Sequence, residues 1–163
     1  MSLLCDRLLQ TDIVDIIRDT LKDTGINPHN LTLEVTESLA INDMERMKKI
    51  LASIKELGVR IALDDFGTGY SSLNHIREIP FDVIKVDQTF IKDLETDSYA
   101  SSFVKMVGDL ADAIGVNLCV EGVERKEQLD ILKNMRVDLI QGYYFDKPMP
   151  CSAFERKYCP NMF

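Results

Sequence analysis

The chain is short of the residues that most often announce a zinc or redox centre. Its 163 residues include four cysteines, Cys5, Cys119, Cys151 and Cys159, and two histidines, His29 and His75. No cysteines stand in a Cys-x-x-Cys pair and no histidine is placed to complete a zinc set, so ordinary reduced thiols of a cytoplasmic protein are expected. Positive charge is also scarce. Against 27 Asp and Glu there are 19 Lys and Arg, a net charge of −8. This balance argues against general nucleic-acid binding through a basic surface, though not against a phosphate ligand held through cations. No apolar run approaches a membrane span and no signal-peptide pattern opens the chain. Linkers, low-complexity runs and close repeats are absent as well, which leaves one domain's worth of chain.

What is present is enough to bury a core: 45% of the residues are hydrophobic. Strand and helix patterns alternate along the chain. The periodicity predicts helices over 12–24, 42–57, 71–78, 98–114 and 125–134, and strands at Leu31–Thr36, Val59–Asp64, Asp82–Val86, Val116–Val120 and Val137–Ile140. Such alternation means a parallel sheet with helices outside it, an α/β fold.

Strand parity separates two faces. One carries Leu31, Leu33 and Val35, then Ile61 and Leu63, Ile84 and Val86, and Val116, Leu118 and Val120. These bulky apolar side chains are expected beneath the helices. The other face is narrower and ends each time in an ionisable group, Glu34, Asp64, Lys85 and Glu121, with Gln141 after the fifth strand. A doubly wound sheet would be apolar on both faces. Charges facing one axis at the C-terminal ends of successive strands suit the active face of a (β/α) barrel. Each residue alone could be a cap or a solvated end; four in register point to a shared site.

Asp64 and Asp65 are adjacent at a strand end, ahead of a loop of small and polar residues, Phe66-Gly67-Thr68-Gly69-Tyr70-Ser71-Ser72. By itself the pair reads equally well as a helix cap or as ligands for a hard divalent cation. With Glu34 and Glu121 beside it, the set suits two cations that would clamp a phosphoryl displacement. Lys85 would offset the repulsion of the acids or polarise water or a phosphate oxygen. Glu37 and Glu124 each follow a strand-end acid by three residues and are candidates for tying down the loop, which has the composition of an element that orders around a ligand.

These stretches resemble the EAL-type phosphodiesterases of bacterial cyclic di-GMP signalling. The matching blocks are Leu33-Glu34-Val35-Thr36-Glu37-Ser38, Asp64 to Ser72, Ile84-Lys85-Val86-Asp87, Val120-Glu121-Gly122-Val123-Glu124 and Gln141-Gly142-Tyr143. The resemblance implies a TIM-type barrel that hydrolyses cyclic di-GMP to linear pGpG with two Mg2+ or Mn2+ ions. It implies Glu34, Asp64 and Asp65 as metal ligands, Glu121 as general base or water-orienting acid, Lys85 as the catalytic lysine and Gln141 as support for the metal-water site. It implies Glu37 as the anchor of the loop, and Glu124, with Asp87, as acids that support the site or contact the ligand. Phe66, Gly67, Thr68, Gly69, Tyr70 and Ser71 then form the substrate loop.

The departure lies at the front. The family's Glu-Ala-Leu motif and an asparagine from an earlier strand have no counterpart, and five strands fall short of eight. The expectation is therefore an incomplete barrel lacking the first two or three strands, the C-terminal two-thirds of its domain, weakened as an enzyme. Met1-Ser2-Leu3 is either a native start or a vector remnant, and a chain that begins in mid-architecture favours the remnant. Sensory or GGDEF-type partner domains are expected in the parent, and open strand edges favour a homodimer. A receptor that binds without hydrolysis, or a protein-interaction module, is the alternative.

Overall fold

Strands joined by helical crossovers must run parallel, because each crossover returns the chain to the same end of the sheet. The computed structural model describes residues 12–36, 44–69 and 79–159. It contains strands β1 (Thr32–Thr36), β2 (Arg60–Phe66), β3 (Val83–Val86), β4 (Asn117–Val120) and β5 (Leu139–Ile140) in one sheet. Their spatial order is β1-β2-β3-β4-β5 and every neighbouring pair is parallel. Sequential order without a reversal is barrel winding, since a doubly wound sheet changes direction at a switch point. The sheet does not close, and β1 and β5 form its edges. The architecture is α/β, an incomplete TIM-type barrel.

The helices are α1 (Ile13–Thr24), α2 (Met44–Glu56), α3 (Thr89–Lys92), α4 (Ser98–Ile114), α5 (Lys126–Leu132) and α6 (Cys151–Tyr158). The longest, α4, has a capped start: the Asp97 carboxylate accepts the Tyr99 N–H at 2.8 Å. It stops at Gly115, whose φ of 74° is left-handed and free of steric cost only for glycine.

Parity divides the sheet as the sequence pattern predicts. On the outer face Ile61, Leu63, Ile84, Val86, Leu118 and Val120 pack against Met47, Leu51 and Ile54 of α2 and Val104 and Val107 of α4, each at most 2% exposed. Burying one such side chain is worth about 1.5–3 kcal/mol, so this layer carries the fold. The inner face holds only a small cluster, Ala62, Val83 and Cys119. Leu139 pairs with Cys119 on the same inner face, yet is 45% exposed because β5 is an edge.

The elements depart from the sequence pattern in particular places. β5 begins at Leu139 rather than Val137, because the Val137 N–H turns back to Met135 O and the Asp138 carboxylate takes the Leu118 N–H. The Asp82 carboxylate does the same for the Ile61 N–H at 2.7 Å, so β3 begins at Val83. β2 runs on through Asp65 to Phe66. Helices α3 and α6 are too short to show a period in the sequence. The helix expected over 71–78 lies outside the described residues.

Candidate active site

The aspartate pair sits on an irregularity. Leu63 pairs with Ile84 and Phe66 with Val86, so β2 spends one more residue than β3 across this stretch. That is a β-bulge, which bends the strand and re-aims its side chains. Asp65 takes φ = 57°, the sole positive value among the described non-glycine residues, and aspartate tolerates it better than most. Without the bulge Phe66 would follow Asp64 onto the inner face. Instead it turns outward, 5% exposed, and stacks on Phe103. Asp65 is therefore part of the strand, not a residue beyond its end, and Phe66 belongs to the outer core rather than to the open side of the loop.

The inner strand-end groups meet at one atom. Lys85 Nζ on β3 lies 2.6 Å from Glu34 Oε1 on β1, 2.9 Å from Asp64 Oδ1 on β2 and 2.8 Å from Glu121 Oε1 beyond β4. Three strands thus send carboxylates to a lysine that is itself 7% exposed. The register explains the meeting, since Lys85 pairs with Cys119 and Glu34 with Ala62, and parity sends all of these inward. Burying the Lys85 charge costs desolvation energy that only close opposite charge repays.

Protonation behaviour follows from this crowding. Burial would lower the Lys85 pKa, but the carboxylates of Glu121, Glu34 and Asp64 outweigh it and hold the ammonium far above the ordinary lysine value. Lys85 is therefore a fixed cation at neutral pH, neither proton donor nor acceptor. Burial pushes the Glu121 carboxyl above its usual range despite the opposing pull of Lys85. Asp65 is raised too, by burial first and then by the neighbouring charges of Asp64 and Asp87. Beneath them, burial lifts the Cys119 thiol to about 11, which leaves it protonated and unreactive.

A cavity of about 280 Å³ opens beside this cluster, lined among others by Asp65, Asp87, Glu121, Glu124, Gln141 and Tyr143. It places five of the residues selected from the sequence around one space: Asp65, Asp87, Glu121, Glu124 and Gln141. Asp87 has a local task as well, accepting the Thr89 N–H at 2.9 Å at the start of α3. Thr68 closes the turn after the pair, its N–H and hydroxyl both donating to Asp65 O, at 3.2 and 2.9 Å. Gly69 follows in the described part of the loop. Glu37, Tyr70, Ser71 and His75 lie outside the described residues.

Whether these residues suit a divalent cation is testable on their own chemistry. The donors are hard carboxylate oxygens, which suit Mg2+, Mn2+ or Ca2+. Asp64 Oδ1 is buried, and its close partner is the Lys85 ammonium at 2.9 Å. A buried anionic oxygen that already faces a positive charge fits a cation ligand. Among the described residues, however, no three Asp, Glu, His or Cys side chains are already arranged around an ion position. The acids converge on Lys85 instead. The donor set fits the group, and Lys85 is the charge about which its acids gather.

Comparison with known proteins agrees with this geometry. The EAL domain family matches residues 2–148. The chain belongs to the EAL domain family. The cyclic di-GMP phosphodiesterase NbdA of Pseudomonas aeruginosa is 36% identical over 146 residues, 90% of this chain and 19% of NbdA. The PaMucR phosphodiesterase, solved as a c-di-GMP complex, is 34% identical with a TM-score of 0.88, over 94% of this chain and 62% of that one. Klebsiella pneumoniae BlrP1, solved with manganese and c-di-GMP, is 31% identical with a TM-score of 0.83, over 90% of this chain and 38% of that one. This EAL chain spans about a fifth of the length of the curated relatives it matches.

Several residues that shape the EAL site escaped the sequence pattern. Gln88 lines the cavity without charge or periodicity to mark it, and Tyr143 does so from a matching block that implies no role for it. Gln128 is 1% exposed; its Oε1 accepts the N–H groups of Glu124 and Arg125, and its Nε2 donates to Ile91 O at 2.8 Å. It reads as an ordinary polar residue at the third position of a helix. The available signal was its place, where a glutamine can reach back to the helix start.

Proposed function

We propose that the domain from which this chain comes hydrolyses cyclic di-GMP to linear pGpG, and that this chain carries the greater part of the catalytic constellation. The observation that carries the reading is the convergence of Glu34, Asp64 and Glu121, from three strands, on the Nζ of Lys85. Glu34, Asp64 and Asp65 would hold Mg2+ or Mn2+. The bound cations supply Lewis acidity toward a phosphoryl oxygen and a more acidic water.

The chain's own groups do the rest. Water attacks phosphorus and the bond to the 3′ oxygen breaks. That oxygen leaves as a hydroxyl with a proton from solvent, and the phosphate stays on the 5′ oxygen, as in pGpG. Glu121 accepts the proton of the attacking water or orients that water; its raised proton affinity suits the base role. Lys85 remains charged and stabilises the negative charge that grows on the phosphoryl oxygens. Gln141 and Glu124 line the cavity beside Glu121, where they position water and ligand. Glu37, as loop anchor, and Tyr70 and Ser71, as substrate-loop residues, keep the roles that the family resemblance implies and lie outside the described residues.

A second reading concerns this chain by itself. Its sheet is open at both edges among the described residues. Binding of the nucleotide without turnover is the alternative to hydrolysis. Association through the open edges into a homodimer, and sensory or GGDEF-type partner domains, belong to the same proposal. Among the described residues no helix is long and apolar enough to cross a membrane. The free thiols of Cys119, Cys151 and Cys159 suit a cytoplasmic setting.

The test is incubation of the chain with cyclic di-GMP and Mn2+ or Mg2+, following pGpG and bound ligand together. Metal-dependent product lost in Asp64→Asn supports hydrolysis. Binding without product supports the receptor reading. Activity that survives Asp64→Asn overturns the assignment of the aspartate pair.

A further inference from the structure

The left-handed backbone at Asp65 has to be held by something. On its inner side lie the cavity and the neighbouring carboxylates of Asp64 and Asp87. On its outer side the next residues press against aromatic rings. Gly67 has φ = 98°, and a Cβ built there would stand 2.6 Å from Phe103 Cζ and 2.7 Å from Phe90 Cε2. Both distances are far inside van der Waals contact, so the glycine backbone rests directly on the tips of these two rings. The rings are themselves rigidly placed. Phe90 and Phe103 stack with centroids 4.0 Å apart and planes 16° from parallel, and Phe66 stacks on Phe103 at 6.1 Å. Phe90 stands on α3, which begins where Asp87 accepts the Thr89 N–H. Phe103 stands on α4, fixed by its buried Val104 and Val107.

We infer that the stacked rings of Phe90 and Phe103 are a positioning platform for the aspartate pair. They set the height of the Gly67 backbone, and the turn closed by Thr68 passes that constraint to Asp65. The bulge then keeps Asp64 and Asp65 on the side of the cavity while Phe66 locks outward. Neither ring touches substrate or ion; they act through Gly67. The inference rests on the reading of Asp64 and Asp65 as metal ligands only for its consequence, since the platform itself is a statement about the metal-free backbone. Groups that orient ligands from outside commonly govern metal affinity by tenfold or more.

Phe103→Leu isolates the effect, because leucine keeps apolar bulk under α4 but lacks the ring tip at Cζ. In the metal-free chain, amide hydrogen exchange over residues 66–69 is expected to quicken about tenfold relative to the amides of β3 and β4. Mn2+ titration by electron paramagnetic resonance is expected to show about a tenfold weaker affinity. Gly67→Ala should also weaken Mn2+ binding, because its methyl group meets both rings and φ = 98° strains any side chain. Unchanged exchange at 66–69, or quickening shared equally by β3 and β4, overturns the platform. If the wild-type chain binds no Mn2+, the metal reading falls and exchange alone decides the platform.

Discussion

Replacing Lys85 with methionine removes the cation from the centre of three carboxylates and leaves the rest of the inner face intact. Removing one partner of a buried ion pair costs about 3–5 kcal/mol. The cost must be discounted here, because the side chain of Glu34 is 52% exposed and those of Asp64 and Glu121 are 20% and 21% exposed. Water then screens part of the released repulsion, and about 2–3 kcal/mol is expected. For a chain of this size that corresponds to a fall in Tm of about 4–12 °C. The sign of the pH dependence is fixed by the direction of each shift. The folded pKa of Lys85 is raised, so its contribution is complete below the ordinary lysine value of 10.5 and is lost only as pH rises through the folded value. The difference between wild type and Lys85→Met should therefore be flat through neutrality. On the acid side it shrinks once Glu121 takes up its proton, which starts above the ordinary 4.5 because its folded pKa is raised. The assay is thermal unfolding by circular dichroism at low salt without divalent cations, from pH 4 to pH 9, repeated with Mn2+. Added Mn2+ should restore the variant more than the wild type. A Tm unchanged at pH 7, or a deficit that grows on acidification, would refute the account of Lys85 as the internal cation.

Asp65→Asn should abolish Mn2+ binding yet raise the Tm of the metal-free chain at pH 7. The folded pKa of Asp65 is raised above its ordinary 3.8, so the charged form is the disfavoured one and the wild-type deficit vanishes as pH falls below that value. Thermal unfolding with and without Mn2+ checks both halves. Gln128→Ala strands two N–H groups and one carbonyl under the cavity rim. A loss of about 2–4 kcal/mol is expected, read by urea unfolding, and a larger effect on KM than on kcat in any active form.

Much of the fold was legible because its period is simple. Outer strand positions such as Ile61, Leu63, Ile84 and Leu118 are apolar at every second residue, and helices such as α2 and α4 repeat at 3.6. Edges and short elements were less legible. Asp82 and Asp138 shorten β3 and β5 by taking neighbouring N–H groups with their carboxylates, a choice invisible to a pattern of apolar residues. α3 is four residues long and starts at a cap rather than at a period. At the site, parity was enough to gather Glu34, Asp64, Lys85 and Glu121 on one face. It could not place Asp65 or Phe66, because parity fails at a bulge and nothing local announces one.

The sequence by itself determined the winding, the two-faced strands and the acidic inner rim, since each depends only on the alternation of side chains along an extended backbone. It determined the EAL family through five ordered blocks. Only the tertiary structure decided how the rim is neutralised. That three carboxylates meet at one ammonium depends on the stagger between strands. Only the tertiary structure, too, brought Phe90 and Phe103 beneath Gly67 from helices 23 and 36 residues further along the chain. Packing of that kind is set by contact between distant segments, and no local pattern of residues carries it.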